Sequence, residues 1–232
     1  MIKVIKLKPI LIGLVALIVS ISLSVGIVSV SGKEQIPKPT YTIVIDAGHG
    51  GRDDGCSGVN GTKESEINLS IAKKLEEYLN TLGIKVVLTR CDGNGLYEAN
   101  VDNYKVSDMN NRLKIINDAN ADMVISIHQN SYADKSQKGA QTFFQESDEK
   151  SKEFAQSIQS QLISHLPNAR SEAIKGDYYL LKESGVPAVI VECGYLTNID
   201  EEKLLNTIDY QSKVAYTIMC GVVNYFNLCG ND

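Results

Sequence analysis

The sequence predicts an α/β fold in which a mostly parallel, twisted sheet carries helices on both faces within one domain. Short β-branched runs alternate with amphipathic segments of helical length, and this order is typical of parallel sheets covered by helices. A hydrophobic content of 43% and a charged content of 22% are those of an ordinary globular protein. A folded body of roughly 200 residues is long enough to bury one good core.

The predicted elements begin with a strand over residues 41–47, a β-branched run that leads into Gly48. The next segment, 66–82, places its apolar residues on one helical face and ends at Gly83. The same two patterns predict strands at 84–89, 122–127, 140–144, 178–181 and 187–191, and helices at 107–120, 148–166 and 208–226.

The first 32 residues predict an export signal or membrane anchor. Three lysines precede an uncharged run over 10–30, which as a helix would be about 31 Å long and would cross a bilayer core. The basic flank predicts that the remainder is exported. Small residues at 29–32 leave signal-peptide cleavage open beside an uncleaved anchor. Residues 33–40, with two prolines, predict an extended linker, and a single folded domain is predicted over 41–228.

The charge distribution excludes nucleic acid as the main partner. The chain has 23 basic and 28 acidic residues. Because residues 1–32 hold three lysines and no acid, the rest carries 20 basic and 28 acidic groups, a net charge of −8. Binding through phosphate neutralisation needs a basic face instead.

The cysteines do not form a recognised metal or redox motif. There are five of them, without a C-x-x-C pair, which excludes a zinc ribbon, a thioredoxin motif and a fully paired disulfide scaffold. Cys193 stands beside Glu192, but the surroundings of a cysteine-protease nucleophile are missing, so we expect a small buried hydrophobe.

Three polar residues follow predicted strands, and they indicate a metal site. His49, His128 and Glu192 come after the strands at 41–47, 122–127 and 187–191. The carboxyl ends of parallel strands share one edge of a sheet, where ligands bind. His49, His128 and one further carboxylate would suit zinc, with a fourth position left for water. Glu192 would be a second carboxylate that transfers protons, because burial after an apolar strand would raise its pKa toward neutrality.

The glycine-rich stretch GHGGRDDGCSGVNG does not match a nucleotide-binding motif. Asp53 stands where G-x-G-x-x-G needs its third glycine, and no G-K-[ST] follows. The glycines instead favour close passage of the backbone near a metal site or a wide substrate. His165, just before Pro167, is expected at the surface.

Four separated motifs resemble the zinc-dependent N-acetylmuramoyl-L-alanine amidases of the amidase-3 type. They are IVIDAGHGGRDDG, KESEINLSIAKKL, NNRLKIINDANAD with the following SIHQN, and PAVIVECGYLTN, in this order. The resemblance spans residues 41–226. It implies hydrolysis of the amide between N-acetylmuramic acid and the L-alanine of the stem peptide in peptidoglycan, with one Zn²⁺ per chain.

The resemblance also implies the residues of the site. By motif, His49, Glu64 and His128 are the zinc ligands and Glu192 is the catalytic carboxylate. Glu64 stands five residues before Leu69, as the family's metal carboxylate does, and Glu66 remains a competing ligand.

Three further residues are candidates for substrate binding. Arg112 matches a family arginine with a structural or substrate-orienting role. Asn130 and Tyr195 flank the motifs and are weaker candidates.

The chain resembles the compact members of the family. It shows no added wall-binding domain, and residues 129–139 are too few for an inserted autoinhibitory helix. Both features suit membrane-attached amidases that process spore cortex and prepare it for muramic-δ-lactam formation during sporulation. The expected location is the outer face of a membrane, in the intermembrane or cortex space of a forming spore.

A regulatory protein partner at the membrane is also predicted. Gly55, Gly58 and Gly61 lie between the first ligand and Glu64, and Val59 is the only apolar anchor there. Ordering such a segment on zinc binding costs free energy. A partner that clamps it would bind cooperatively with zinc.

Two other functions fit the same sequence pattern. The first is a catalytically degenerate peptidoglycan-binding or scaffold protein on the same fold, which should lack a ligand or the base. The second is a zinc metallopeptidase with another substrate, which only an assay separates from an amidase.

Overall fold

The computed structural model describes residues 41–229. The predicted export segment at 1–32 and the linker at 33–40 lie outside the described residues. Within 41–229, no helix combines the length and the apolar character needed to cross a membrane.

Six strands form one sheet in the order β2-β1-β3-β6-β4-β5. Their bounds are β1 Thr42–Ala47, β2 Lys85–Leu88, β3 Met123–Asn130, β4 Gln141–Phe144, β5 Ile174–Lys175 and β6 Ala188–Tyr195. The strands β2, β1, β3 and β6 run parallel to one another. The strand β4 is antiparallel to β6 and parallel to β5. The prediction of a mostly parallel sheet is therefore confirmed.

Helices cover both faces of this sheet, as predicted. Their bounds are α1 Glu64–Thr81, α2 Tyr104–Asp118, α3 Glu149–His165, α4 Tyr179–Glu183, α5 Ile199–Leu205 and α6 Ile208–Cys229. On one face α1, α3 and α6 build the larger core, which includes Ile71, Phe154 and Val214. On the other face α2 and α4 build a smaller core around Ile116 and Leu180.

Side-chain alternation along the strands decides which residues face each core. In β1, Ile43 and Ile45 belong to the larger core and Val44 to the smaller one, as the two-residue period of a strand requires. Asp46 therefore lies on the face of the smaller core, where it contacts Arg112 of α2. The same alternation aligns polar side chains of β3 and β6 on that face.

The predicted strand at 178–181 is wrong, because residues 179–183 form the short helix α4 and Tyr178 is its N-cap. Leu180 and Leu181 are both buried, which a helix achieves for consecutive residues and a half-exposed strand does not. The predictions also missed β5, of two residues, and α5. Asn198 caps α5 by accepting from the N–H groups of Asp200 and Glu201, but seven residues are too few for a helical period to be recognised.

Candidate metal centre

His49 lies in a tight turn that follows β1. Its φ angle is 63°, a left-handed conformation that is unfavourable for residues with a Cβ. Arg112 donates to the carbonyl oxygen of His49 at 2.6 Å, and Arg90 donates to that of Gly48 at 3.0 Å. A side-chain carbon at Gly48 would overlap the imidazole of His128. The turn thus needs glycine at 48 and two buried arginines to bring both histidines together.

Glu64 is the first residue of α1 and is only 3% exposed. Its Oε1 atom lies 3.0 Å from Nδ1 of His128 and 3.3 Å from Nε2 of His49. Its Oε2 atom accepts from the N–H of Cys56 at 2.8 Å. Glu66, the competing carboxylate, is exposed. The geometry therefore brings Glu64, and not Glu66, to the histidines.

The three side chains form a donor set that fits zinc. One ligand atom from each of His49, Glu64 and His128 lies within 4.8 Å of the other two. Tetrahedral zinc with bonds of ~2.1 Å separates its ligand atoms by about 3.4 Å, close to the observed 3.0 and 3.3 Å. Nδ1 of His49 lies 3.0 Å from Oδ2 of Asp53, the carboxylate–histidine contact that orients metal-binding imidazoles.

The charges of this cluster stabilise one another. Burial opposes ionisation of Glu64, but hydrogen bonds from His128 and His49 and their charges hold its pKa well below the usual range. Burial likewise opposes the charge of His49, yet Glu64 and then Asp53 raise its pKa to about 9. At neutral pH this raised pKa keeps a proton on His49. Binding of a metal must displace that proton, because a ligating imidazole is neutral.

Glu192 lies beside this cluster on β6, directly opposite His128 of β3 in the strand register. It is 8% exposed, and its Oε2 atom has no hydrogen-bond partner within residues 41–229. Burial, opposed by the charge of His128 and assisted by that of Glu64, raises the pKa of Glu192 to about 7. A carboxylate with this pKa can take up and release a proton near neutral pH.

Two of the predicted strand ends are corrected by the structure. His128 and Glu192 were expected after their strands, but β3 continues to Asn130 and β6 to Tyr195. The ladder shows a register irregularity between His128 and Asn130. Paired strands, rather than loops, therefore support both side chains.

Two of the three substrate-binding candidates are buried. Arg112 is 1% exposed and donates to Asp46 and Asp108, each at 2.6 Å. Tyr195 is 6% exposed and accepts at its hydroxyl from Arg170. Asn130 pairs with Tyr195 in the ladder. The contacts of Arg112 favour the structural role over the substrate-orienting one.

The remaining histidine and the two cysteines near the motifs are not part of the donor set His49, Glu64 and His128. His165 is exposed and Cys193 is fully buried, as predicted. Burial raises the pKa of the Cys193 thiol above its usual range, which keeps it protonated and unreactive. The Sγ atom of Cys56 lies 3.7 Å from the carbonyl oxygen of Gln129.

A cavity of about 190 Å³ opens beside His49 and His128. It is lined mainly by residues of α2 and α4 and of the segments that precede these helices, together with residues of β1, β3 and β6. Among its lining side chains are Tyr97, Tyr104, Lys105, Met109, Tyr178 and Tyr179. The site therefore adjoins an aromatic recess able to receive groups that flank a reacting bond.

The glycine-rich segment before Glu64 has polar anchors that the sequence did not indicate. Val59, its expected apolar anchor, is 46% exposed. The carboxylate of Glu202 on α5 instead accepts from the backbone N–H groups of Asn60 and Thr62. Nothing in a single sequence points to this contact, because the partners are about 140 positions apart. Asp53 was also missed, although a carboxylate four residues after a candidate ligand was a visible signal.

Residues 43–224 match the family model Amidase_3, described as N-acetylmuramoyl-L-alanine amidase. Among curated proteins, the chain is similar to a germination-specific N-acetylmuramoyl-L-alanine amidase of Bacillus subtilis. The two are 33% identical over 201 residues, which cover 84% of each chain.

Two solved structures are similar over the same region. The CwlD amidase of Clostridioides difficile, in complex with the GerS lipoprotein, has a TM-score of 0.78 at 37% identity and covers 81% of this chain and 99% of that chain. The catalytic domain of CwlV, an N-acetylmuramoyl-L-alanine amidase of Bacillus (Paenibacillus) polymyxa, has a TM-score of 0.72 at 31% identity, covering 81% and 98%.

Proposed function

The chain belongs to the Amidase_3 family of N-acetylmuramoyl-L-alanine amidases, and from this premise we propose that it is a zinc-dependent enzyme. Peptidoglycan amidase activity is the property of the family. The reaction we propose is hydrolysis of the amide between N-acetylmuramic acid and the L-alanine of the stem peptide. The observation that carries the zinc dependence is the convergence of His49, Glu64 and His128 beside the buried Glu192.

The metal would be held by Nε2 of His49, Nδ1 of His128 and the carboxylate of Glu64. When bound, zinc supplies Lewis-acid activation of water and of the scissile carbonyl group. Asp53 fixes the ring of His49 through Nδ1, so that Nε2 faces the other two ligands.

Glu192 is the proposed general base and acid. Its unpartnered Oε2 atom accepts a proton from the attacking water and then delivers it to the amide nitrogen. The bond between the lactyl carbonyl carbon and that nitrogen breaks, and L-alanine leaves with a free amino group. A pKa near 7 suits both transfers, since the group must be ionised first and protonated afterwards.

The test uses purified protein, zinc and muropeptides, with products identified by mass spectrometry. We expect intact stem peptides with free amino termini, and disaccharides that carry a free lactyl carboxylate. Glu192→Gln should retain zinc and lose roughly 10²–10⁴ in rate, as for loss of a general base. Cleavage inside the peptide would indicate a peptidase instead, and binding without cleavage would indicate a scaffold protein.

The biological role we propose is in spore cortex, as a step toward muramic-δ-lactam. The similarity to a germination-specific amidase and to CwlD supports this role. The test is analysis of cortex muropeptides from a deletion strain of the producing organism. The δ-lactam should be absent, and the wild-type gene should restore it whereas the Glu192→Gln gene should not.

Export and a regulatory partner complete the proposal. A reporter fused after Thr40 should be accessible to protease in intact protoplasts if residues 10–30 direct export. The partner we propose is a protein at the membrane that orders the zinc site, and the complex of CwlD with a lipoprotein supports it. One tightly held zinc per isolated chain, with full turnover, would contradict the need for a partner.

A further inference from the structure

We propose that Glu202 is a positioning residue for the zinc ligand Glu64, acting through the glycine-rich segment 55–63. The inference rests on the proposed function, because it concerns the affinity of the metal centre. Glu202 lies on α5, far along the chain from all three ligands, and its side chain contacts the segment.

The carboxylate of Glu202 is fully buried, with 0% exposure. A buried charge is costly unless hydrogen bonds or a counter-ion satisfy it. Here the partners are N–H groups of the segment. Asn60 donates its backbone N–H at 2.9 Å and its side-chain Nδ2 at 2.9 Å, and Thr62 donates its backbone N–H at 3.4 Å. The position thus requires an acceptor with two oxygens, which an apolar side chain of similar size would not supply.

The segment is shaped around this carboxylate. A side-chain carbon at Gly58 would overlap Oε1 of Glu202, so the backbone approaches as closely as glycine permits. Gly61 has a φ of 85°, and the exposed Val59 contributes little burial. The segment has many conformations to lose on ordering. Two residues restrain it toward α5: the buried Glu202, and Asn206 directly after the helix, whose Nδ2 donates to Oγ1 of Thr62 at 2.8 Å.

The same segment fixes the start of α1 and hence Glu64. Lys63 precedes the helix without a side-chain capping bond. Backbone carbonyls take over this role, since the N–H of Glu64 donates to Cys56 at 3.1 Å and that of Ser65 donates to Asp54 at 3.1 Å. Cys56 also donates its N–H to Oε2 of Glu64. Release of the segment would therefore loosen both the helix terminus and the carboxylate of the ligand.

Glu201 provides a matched control on the same helix. It is 4% exposed, and its carboxylate accepts from the N–H groups of Gly139 and Tyr195, at 2.9 and 2.8 Å. Loss of this carboxylate removes a comparable buried anchor but leaves the contacts of segment 55–63 in place.

The experiment compares Glu202→Gln with Glu201→Gln in the full chain. Zinc affinity is measured by competition with a chromogenic chelator, well below the unfolding temperature of each variant. Hydrogen exchange of residues 55–63 is measured without metal. We expect Glu202→Gln to bind zinc roughly 10- to 100-fold more weakly, the range typical of residues that support a ligand, with faster exchange in 55–63. Glu201→Gln should resemble the wild type in both.

Equal zinc affinity of Glu202→Gln and the wild type would overturn the inference. So would a loss of affinity in Glu201→Gln of the same size, because the effect would then be general destabilisation. If Glu202→Gln does not fold, Asn60→Ala removes one donor from an exposed residue and should weaken zinc in the same direction. A wild-type chain that binds no zinc would count against the proposed function, and exchange in 55–63 would still decide whether Glu202 orders the segment.

Discussion

Replacement of Asp46 by asparagine should destabilise the protein in a pH-dependent way. Asp46 is 1% exposed in β1. Its Oδ1 atom accepts from Nη1 of Arg112 at 2.6 Å and from the hydroxyl of Thr89 at 2.8 Å, and its Oδ2 atom accepts from the hydroxyl of Ser126 at 2.6 Å. Asparagine keeps the size of the side chain but removes the charge and one acceptor.

The size of the effect follows from the pKa of this carboxyl. Burial opposes ionisation, but the charge of Arg112 and the hydrogen bond from Ser126 lower the pKa from 3.8 to about 2. At 1.36 kcal/mol per pH unit, this difference corresponds to about 2 kcal/mol of stability at neutral pH. Removing one member of a buried ion pair typically costs ~3–5 kcal/mol. We therefore expect Asp46→Asn to lower the free energy of unfolding by about 2–5 kcal/mol at pH 7.

The sign of the pH dependence is also determined. A lowered pKa means that the contribution is complete above pH 3.8 and is lost as the pH falls through about 2. Urea unfolding of the metal-free protein at several pH values measures the gap between wild type and variant. Asp118→Asn, at the exposed end of α2, is the control and should change little. A gap absent at pH 7, or constant between pH 7 and pH 2, would refute the reasoning.

Two further predictions concern the metal centre. Glu64→Gln should abolish zinc binding and activity, whereas Glu66→Gln, in the same helical turn but exposed, should keep both. Zinc affinity in a chelator competition decides, and equal affinity of the two variants would exclude Glu64 as a ligand. Asp53→Asn should weaken zinc binding roughly 10- to 100-fold, because Nδ1 of His49 loses its carboxylate acceptor. Unchanged zinc affinity in a chelator competition would show that other contacts orient the imidazole ring of His49.

The position of the candidate site could be predicted from the sequence, because the parallel topology brings its residues together at one edge of the sheet. His49 and His128 follow or end β-branched runs, and a parallel sheet brings such positions to one edge. The extent of the strands was not predictable in the same way. Polar residues at 128 and 192 interrupt the apolar runs, so they look like strand ends. In the folded protein they lie inside paired strands, because their side chains face the site rather than a core.

Local pattern failed where tertiary contacts decide the conformation. Residues 178–181 (YYLL) have high strand propensity, yet burial of Leu180 and Leu181 in the smaller core is satisfied by a helical turn. The contact of Glu202 with Asn60 spans 142 positions. Hydrophobic periodicity carries information over a few turns only, so a partnership of this length becomes visible only in the fold.

The register of β3 against β6 gives the proposed active site an all-or-none character. His128 and Glu192 face one another because the two strands pair in one specific alignment. A slip of one residue would turn Glu192 to the opposite face of the sheet, into the larger apolar core. Such a molecule would lack the proposed general base and would turn over roughly 10²–10⁴ more slowly. The specific activity of a preparation therefore counts its correctly paired molecules, and partial refolding should lower the number of active sites while leaving the turnover of each unchanged.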